Sequence, residues 1–459
     1  MSQYSSTLSI VTPVPAVLPP RHNAPRYTPG FKRTQKAWLG EVGNPARKMG
    51  LLAAYAFFFL RFTDLSTIIA TKTGSSNYLL YFAAFPALLG LLLSGGLRRA
   101  FRLKTSWYLL GFLVLMAIAS VFSTWMGGSI PVAWIYFRTS WICFLLLAGL
   151  IMTRKELWGM LQVIVFSAAV NVLIAVFMRS TMAEGVRYGV EAGTNSNPND
   201  FAAVLILVLP FLGLVLFTPR RNMLLRLAAL AFLLVGLYKA LSSGSRGALV
   251  GIAIASLYII AKLPSRLKVL AVLGGLMICL IMVIALPKGT IERLETWKSG
   301  SANEAAGSAE MRKQLFQKSL LITLQHPLLG VGPAEFADYE GKTTKEETGQ
   351  KGLWHGTHNS YTQISSENGI PAAICFLMAL GSSYRLIQRV FQRTKRRKPS
   401  PELKKLNLAA FCMLVSMVGF CVAIAFVNFG YHFFVPALVG LAVVLTEVTE
   451  REFQIPLGV

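Results

Sequence analysis

Charge is scarce in this chain of 459 residues: Asp, Glu, Lys and Arg together make up 14%, where a soluble protein carries about a quarter. Acidic residues number only 20, and histidine and cysteine five each. So little charge over such a length excludes a cytosolic enzyme and a coiled coil. The five cysteines (Cys143, Cys279, Cys375, Cys412 and Cys421) all fall in apolar runs and none stands at CxxC spacing. They read as small packing residues, so a secreted disulfide scaffold is excluded and zinc is not expected. The closest approach to an acidic metal cluster in a polar stretch is Asp338-x-Glu340, which reads as a solvated loop pair.

What is abundant is apolar. Hydrophobic residues reach 54% and the mean hydropathy is +0.55. Apolar runs of about 20 residues, the length that crosses a bilayer core, recur along the chain. The expected fold is therefore all-α, a polytopic membrane bundle of about twelve spans near 49–70, 77–97, 105–125, 131–151, 157–178, 201–218, 227–243, 247–263, 268–286, 369–390, 407–427 and 431–447. With the N-terminus placed inside, the tail and alternate loops hold 29 of the 45 basic residues but only 6 of the 20 acidic ones. This is the positive-inside signature. The net charge of +25 thus reports orientation, with both termini cytoplasmic, and no nucleic-acid partner is expected.

The organisation follows from these spans. Residues 1–46 are Pro-rich and basic and read as a disordered cytoplasmic tail. Residues 47–286 hold the first nine spans, 287–368 form a large exoplasmic loop, 369–447 hold the last three spans, and 448–459 are a short cytoplasmic tail. The loop opens on a linker-like Ser-Gly stretch around Ser299–Ser308. Glu310 to Gln325 then sets Met311, Leu315 and Ile322 on one side with Phe316, Leu320 and Leu324 beside them, an amphipathic helix. His326-Pro327 ends it, Gly330, Gly332 and Pro333 make a turn, and 342–351 reads as a mobile charged loop.

Five short motifs occur in order: Asn197-Pro198-Asn199, Ser245-Arg246-Gly247-Ala248, Pro327-x-x-Gly330-x-Gly332-x-x-x-Phe336, His358-Asn359-Ser360-Tyr361 and Glu367-x-Gly369. With the large loop between the ninth and tenth spans, this series resembles the O-antigen ligase/polymerase family of bacterial membrane glycosyltransferases, over roughly residues 50 to 447. The resemblance implies a GT-C-like helical bundle in the bacterial inner membrane. Its active site would face the periplasm, taking a glycan from an undecaprenyl diphosphate carrier. The acceptor would be lipid A-core in a ligase or another lipid-linked glycan in a polymerase, and membrane lipid would surround both. Thr362, Phe316 and Pro371 depart from the family's usual residues, and ligase and polymerase both stay open.

The chemistry needs a hydroxyl to attack an anomeric carbon while a diphosphate leaves. Fixed cations can stabilise that leaving group, and guanidinium binds phosphate in a bidentate way. Arg246, at the mouth of a span between Ser245 and Gly247, is the first candidate, and Arg187, ten residues before Asn197, the second. Arg312 on the amphipathic helix is a further candidate for the diphosphate. His358 matches the family motif, whereas His355 does not, and its neutral imidazole is the candidate base. No metal and no cofactor are expected. Asn197, Asn199 and Asp200 could line the site or cap the sixth span, with Pro198 suited to a helix start. Tyr361 could bond a sugar or anchor at the interface, and Glu367 could orient His358 or cap the next helix. Arg61, Asp64, Arg138 and Lys239 lie within spans and are left out of the site. Twelve spans also suit a transporter or a lipid-linked glycan flippase, but no pair of similar halves is visible, and a long late loop fits a catalytic lid better.

Overall fold

The computed structural model of the protein describes residues 40–181, 188–190, 196–219, 221–284, 286, 304–349, 352–397, 400–455 and 457. Residues 40–43 are helical within a first unit, Met1–Gly43, and the second unit, Asn44–Val459, holds the bundle. The expected tail therefore lies, through residue 39, outside the described residues.

Asn44 starts α1 (Pro45–Thr63) by accepting the Arg47 amide on its side chain, with Pro45 where a missing N–H goes unused. The helix stops at Asp64, whose φ of 56° turns the chain through 68° into α2 (Leu65–Thr73). The straight first span expected over 49–70 is thus a bent pair. The bend is held from outside. Asn171 donates to the Phe62 carbonyl at 2.8 Å, and the Arg61 guanidinium lies 4.4 Å over the Phe433 ring and donates to the Thr139 carbonyl at 3.3 Å. A freed carbonyl inside a bilayer needs such a partner.

The chain continues through α3 (Tyr78–Leu93), α4 (Gly96–Ala100), α5 (Lys104–Val121), α6 (Met126–Leu150) and α7 (Arg154–Phe177). A π-turn over Tyr136–Trp141 interrupts α6. Two three-residue strands then pair antiparallel, β1 (Arg179–Thr181) with β2 (Tyr188–Val190), Ser180 opposite Gly189. This small departure from an all-helical chain was not expected. Next come α8 (Pro198–Leu216), α9 (Met223–Ser242), α10 (Arg246–Lys262) and α11 (Ser265–Ile284). After them stand α12 (Glu304–Gln325), α13 (Phe336–Thr348), α14 (Ser360–Lys395), α15 (Pro401–Phe426) and α16 (Phe434–Phe453).

Among the described residues seven helices are long and apolar enough to cross a membrane, eight if the bent pair is one span. They are α5, α6, α7, α8, α9, α14 and α15, which make this a multi-pass membrane protein. The expected count of about twelve is not reached by that measure, for physical reasons. The 16 residues of α3, at about 1.5 Å each, span about 24 Å of a hydrocarbon core of roughly 30 Å. The last turns of α16 carry Glu447, Glu450, Arg451 and Glu452. Large apolar side chains such as Phe82, Phe85 and Leu270 stand exposed on the outside.

At the end where α7 begins, Arg47 is fully buried and grips Glu156 with two bonds, Nη2–Oε1 at 2.6 Å and Nη1–Oε2 at 3.0 Å. It also donates to the Leu150 carbonyl at 2.6 Å. Glu156 closes a capping box with Thr153 at the start of α7. One buried arginine so joins three helix ends.

Outside the spans, α12, α13 and the turn between them share a small core of Leu315, Ile322, Val331 and Phe336. The expected amphipathic helix starts earlier, at Glu304, so part of the anticipated linker is helical; residues 299–303 lie outside the described residues. Its apolar face divides. Leu315 and Ile322 turn inward, while Phe316, Leu320 and Leu324 face outward. Residues 342–348, expected as a mobile loop, complete α13. The reason is Glu340, expected to be solvated but 1% exposed. Its carboxylate bonds Lys318 of α12, Thr344, and the amides of Leu353 and Trp354 at 2.9 and 3.0 Å. Burial alone would push its pKa up, but the Lys318, Trp354 and Thr344 bonds hold it below the usual carboxylate range.

Candidate functional site

α14 begins at the motif His358-Asn359-Ser360-Tyr361, and its four residues do four different things. Asn359 is the N-cap, accepting the amides of Tyr361 and Thr362 at 2.9 and 3.2 Å. Ser360 donates to the Val427 carbonyl at 2.7 Å and accepts from the Phe429 amide at 2.8 Å. Tyr361 donates to the Cys421 carbonyl of α15 at 2.7 Å. Its hydroxyl is therefore committed to the bundle. That leaves His358, half-buried, with a φ of 50° and an imidazole that hydrogen-bonds no described residue. Left-handed backbone at a residue with a Cβ costs on the order of 1–3 kcal/mol and persists where neighbours enforce it. Ala334 and Trp354 share that conformation at φ 64° and 56°.

The neighbours enforcing it come from the turn between α15 and α16. Asn428 accepts from the Thr357 hydroxyl at 3.0 Å, and its amide lies so close to Gly356 that an added Cβ there would sit 2.3 Å from Nδ2. Two residues earlier, Phe426 packs on Gly247, where a Cβ would meet its Cβ at 2.5 Å. Gly247 follows Arg246 at the start of α10, whose N-cap Ser245 accepts the Ala248 amide at 3.3 Å. The segment Phe426–Asn428 therefore borders both the turn that presents Arg246 and the loop that presents His358.

Arg312 reaches the same region from α12. Its positive charge falls on both His358 and Asp200, in the first turn of α8. Burial is the largest influence on His358 and pushes its pKa down to about 4; the Arg312 charge and then His355 add to the effect. The two imidazole rings lie 6.5 Å apart. His358 is thus neutral across ordinary pH. Asn197 caps α8, accepting the Asn199 amide at 2.9 Å, and Asn199 is buried behind it.

Helix α12 is held against α14 by a docked turn. Val331 and Gly332 donate their amides to the carbonyls of Ser366 and Glu367, each at 2.9 Å, and Ile370 donates to the Pro327 carbonyl at 2.7 Å. The turn lies across a break in α14 at Gly369, where φ is 83° and ψ 170°. Glycine is required there, since a Cβ would come within 2.2 Å of the Leu328 carbonyl oxygen. Glu367, beside the break, is buried. It accepts the Ala334 amide at 3.0 Å and the Tyr431 hydroxyl at 2.5 Å. Its carboxylate fastens the turn 327–336 and the α15–α16 turn to α14.

Of the residues singled out by sequence, His358, Arg246 and Arg312 border one region with Asn197 and Asn199, Tyr361 and Glu367 are built into its walls, and Arg187 lies outside the described residues. Asp200, weighed with the two asparagines, feels the Arg312 charge there, and Asn428 and Tyr431 belong to the region as well. The polar run Asn428-Phe429-Gly430-Tyr431-His432 between two apolar stretches was a signal for the last two, since polar groups beside spans demand partners. No curated protein matches the chain. Residues 228–377, a stretch holding Arg246, Arg312, His358 and Glu367, match the family model described as O-antigen ligase, and this match supports membership of the O-antigen ligase/polymerase family.

Proposed function

We propose that this protein is a membrane glycosyltransferase that moves a glycan from an undecaprenyl diphosphate carrier to a hydroxyl of lipid A-core or of a growing polysaccharide. Transfer takes place at the periplasmic end of a GT-C-like bundle of about twelve spans, in the bacterial inner membrane. The observation that carries the reading is the meeting of a neutral histidine with a cation from the extramembrane helix, the Arg312 charge falling on His358. A reaction that expels a diphosphate needs fixed positive charge at the leaving oxygens and a neutral acceptor for the hydroxyl proton.

In this reading Arg246 and Arg312, with Arg187, hold the diphosphate, and His358 takes the acceptor proton as the hydroxyl oxygen attacks the anomeric carbon. A pKa of about 4 keeps the imidazole free of protons but makes it a weak base. The arriving diphosphate corrects this, because its negative charge raises the pKa of a neighbouring imidazole. Donor binding and base strength are coupled by charge alone.

The bend of α1 into α2 at Asp64 is a feature that transporters also use, so a flippase is the second reading. Reconstitution with an undecaprenyl diphosphate-linked glycan and candidate acceptors separates the two. Transfer by the wild type, lost in both His358→Ala and Arg246→Ala, is the expected result. Donor translocation without transfer would favour the flippase, and full transfer by both variants would remove these residues from the site.

A further inference from the structure

At the opposite end of the molecule a cavity of about 300 Å³ opens between the first turns of α7 and α15. It is remote from His358: α15 runs 26 residues from Pro401 to Phe426, about 39 Å at helical rise, and its far end adjoins the Asn428 that holds the histidine loop. The floor is apolar, made by Trp158, Leu161 and Leu406. The rim is cationic, made by Arg154, Lys155 and Lys405.

The charges there are unevenly matched. Arg154 is 3.8 Å from Glu452 and lies 5.7 Å over the Phe453 ring. Lys155 and Lys405 have no acidic partner among the described residues, and the Lys405 ammonium sits 6.0 Å over the Trp158 ring. Glu402 also lines the cavity, in the first turn of α15, where a carboxylate is favoured by the helix dipole in its own right. With Arg154 answered by Glu452, two cations against one carboxylate leave the rim positive. The N-termini of α7 and α15 both open here, capped by Thr153 and Ser400, and add positive potential.

We propose that this cavity is a binding site for an anionic diacyl phospholipid, its phosphate between Lys155 and Lys405 and the top of one acyl chain over Trp158, Leu161 and Leu406. The argument is charge complementarity at headgroup depth. Basic pockets between spans, on the face where Lys and Arg collect, select anionic lipid heads, and an apolar floor below the cations rejects a free, fully hydrated anion. The site is independent of the transfer reaction.

The test uses the full chain in nanodiscs of phosphatidylcholine doped with phosphatidylglycerol, with retained lipid read by native mass spectrometry and melting temperature read in parallel. The wild type retains phosphatidylglycerol in preference to phosphatidylcholine and melts higher with it. Lys155→Gln and Lys405→Gln, both at exposed positions that folding does not need, each weaken retention roughly fivefold, and the pair removes the preference. Ala409→Phe, which fills the slot and keeps both lysines, abolishes retention. Glycerol 3-phosphate, a head without chains, neither competes nor stabilises. Equal retention of the two lipids, an undiminished preference in the double lysine variant, or full competition by glycerol 3-phosphate would each overturn the proposal.

Discussion

Tyr431 donates its phenol to Glu367 across 2.5 Å, joining the turn before the last helix to the break in α14. The same carboxylate oxygen accepts the Ala334 amide at 3.0 Å, and Asn368 donates to the Tyr431 oxygen at 2.6 Å. One buried polar knot thus holds the extramembrane turn, the helix that begins at His358 and the segment that carries Asn428. Networks of this kind act as units, because each buried member depends on the others for its partner.

Removing the phenol tests that knot. Tyr431→Phe leaves the Glu367 carboxylate short of a donor in a buried place, which costs about 1–3 kcal/mol. The melting temperature in detergent falls accordingly, and transfer falls with it as the His358 loop loosens. A variant that melts with the wild type would show that the bond contributes nothing net.

The pH dependence of kcat/KM reads the free enzyme. His358 has its pKa lowered by burial and by Arg312 to about 4, so its acid limb lies near pH 4 and not near 6.5. The sign for stability agrees. Protonation is harder in the fold than in the unfolded chain, so the group's contribution is intact above pH 6.5 and is lost as pH falls towards 4. Arg312→Gln removes a positive charge acting on the ring and moves the limb upward. A limb unmoved by that change would separate Arg312 from His358.

Arg246 is tested by its lysine variant. Removing a donor aimed at developing negative charge costs about 10²–10³ in kcat, which is the expectation for Arg246→Ala. Arg246→Lys restores charge without the planar fork and recovers part of that loss. Steady-state transfer assays distinguish this from a helix-end arginine with no role, for which all three proteins would turn over alike.

Glu156→Ala strands Arg47, which is wholly buried and pairs with it at 2.6 Å. An uncompensated buried charge costs about 3–5 kcal/mol, so the folded yield drops sharply on size-exclusion chromatography. Arg47→Met combined with Glu156→Leu removes both charges and recovers most of the yield. The single variant behaving like the double would mean that the pair is not what binds α1 to α7.

Much of the framework was legible along the chain. Apolar length marked the helices, and Pro327 marked the end of α12 as expected. Where the reading failed, the cause lay at a distance. Nothing near Glu340 in sequence announces Lys318, so a buried hub looked like a solvated loop. The bend at Asp64 depends on Asn171, and the inward half of α12 depends on Phe336. The motif at His358 was visible, yet the sequence could not say which of its residues face outward, because Ser360 and Tyr361 are claimed by partners 60 or more positions away.

Local chemistry was therefore enough for the class of protein and the positions of most helices, since each depends on residues adjacent in the chain. Which polar groups share a pocket depended on the folded packing. The hydrogen bond from Thr357 to Asn428 spans 71 positions, and the charge of Arg312 reaches His358 because α12 is fastened to α14 by a turn that a glycine at 369 admits. Such partners meet only when buried polar groups, unable to turn to water, must find one another.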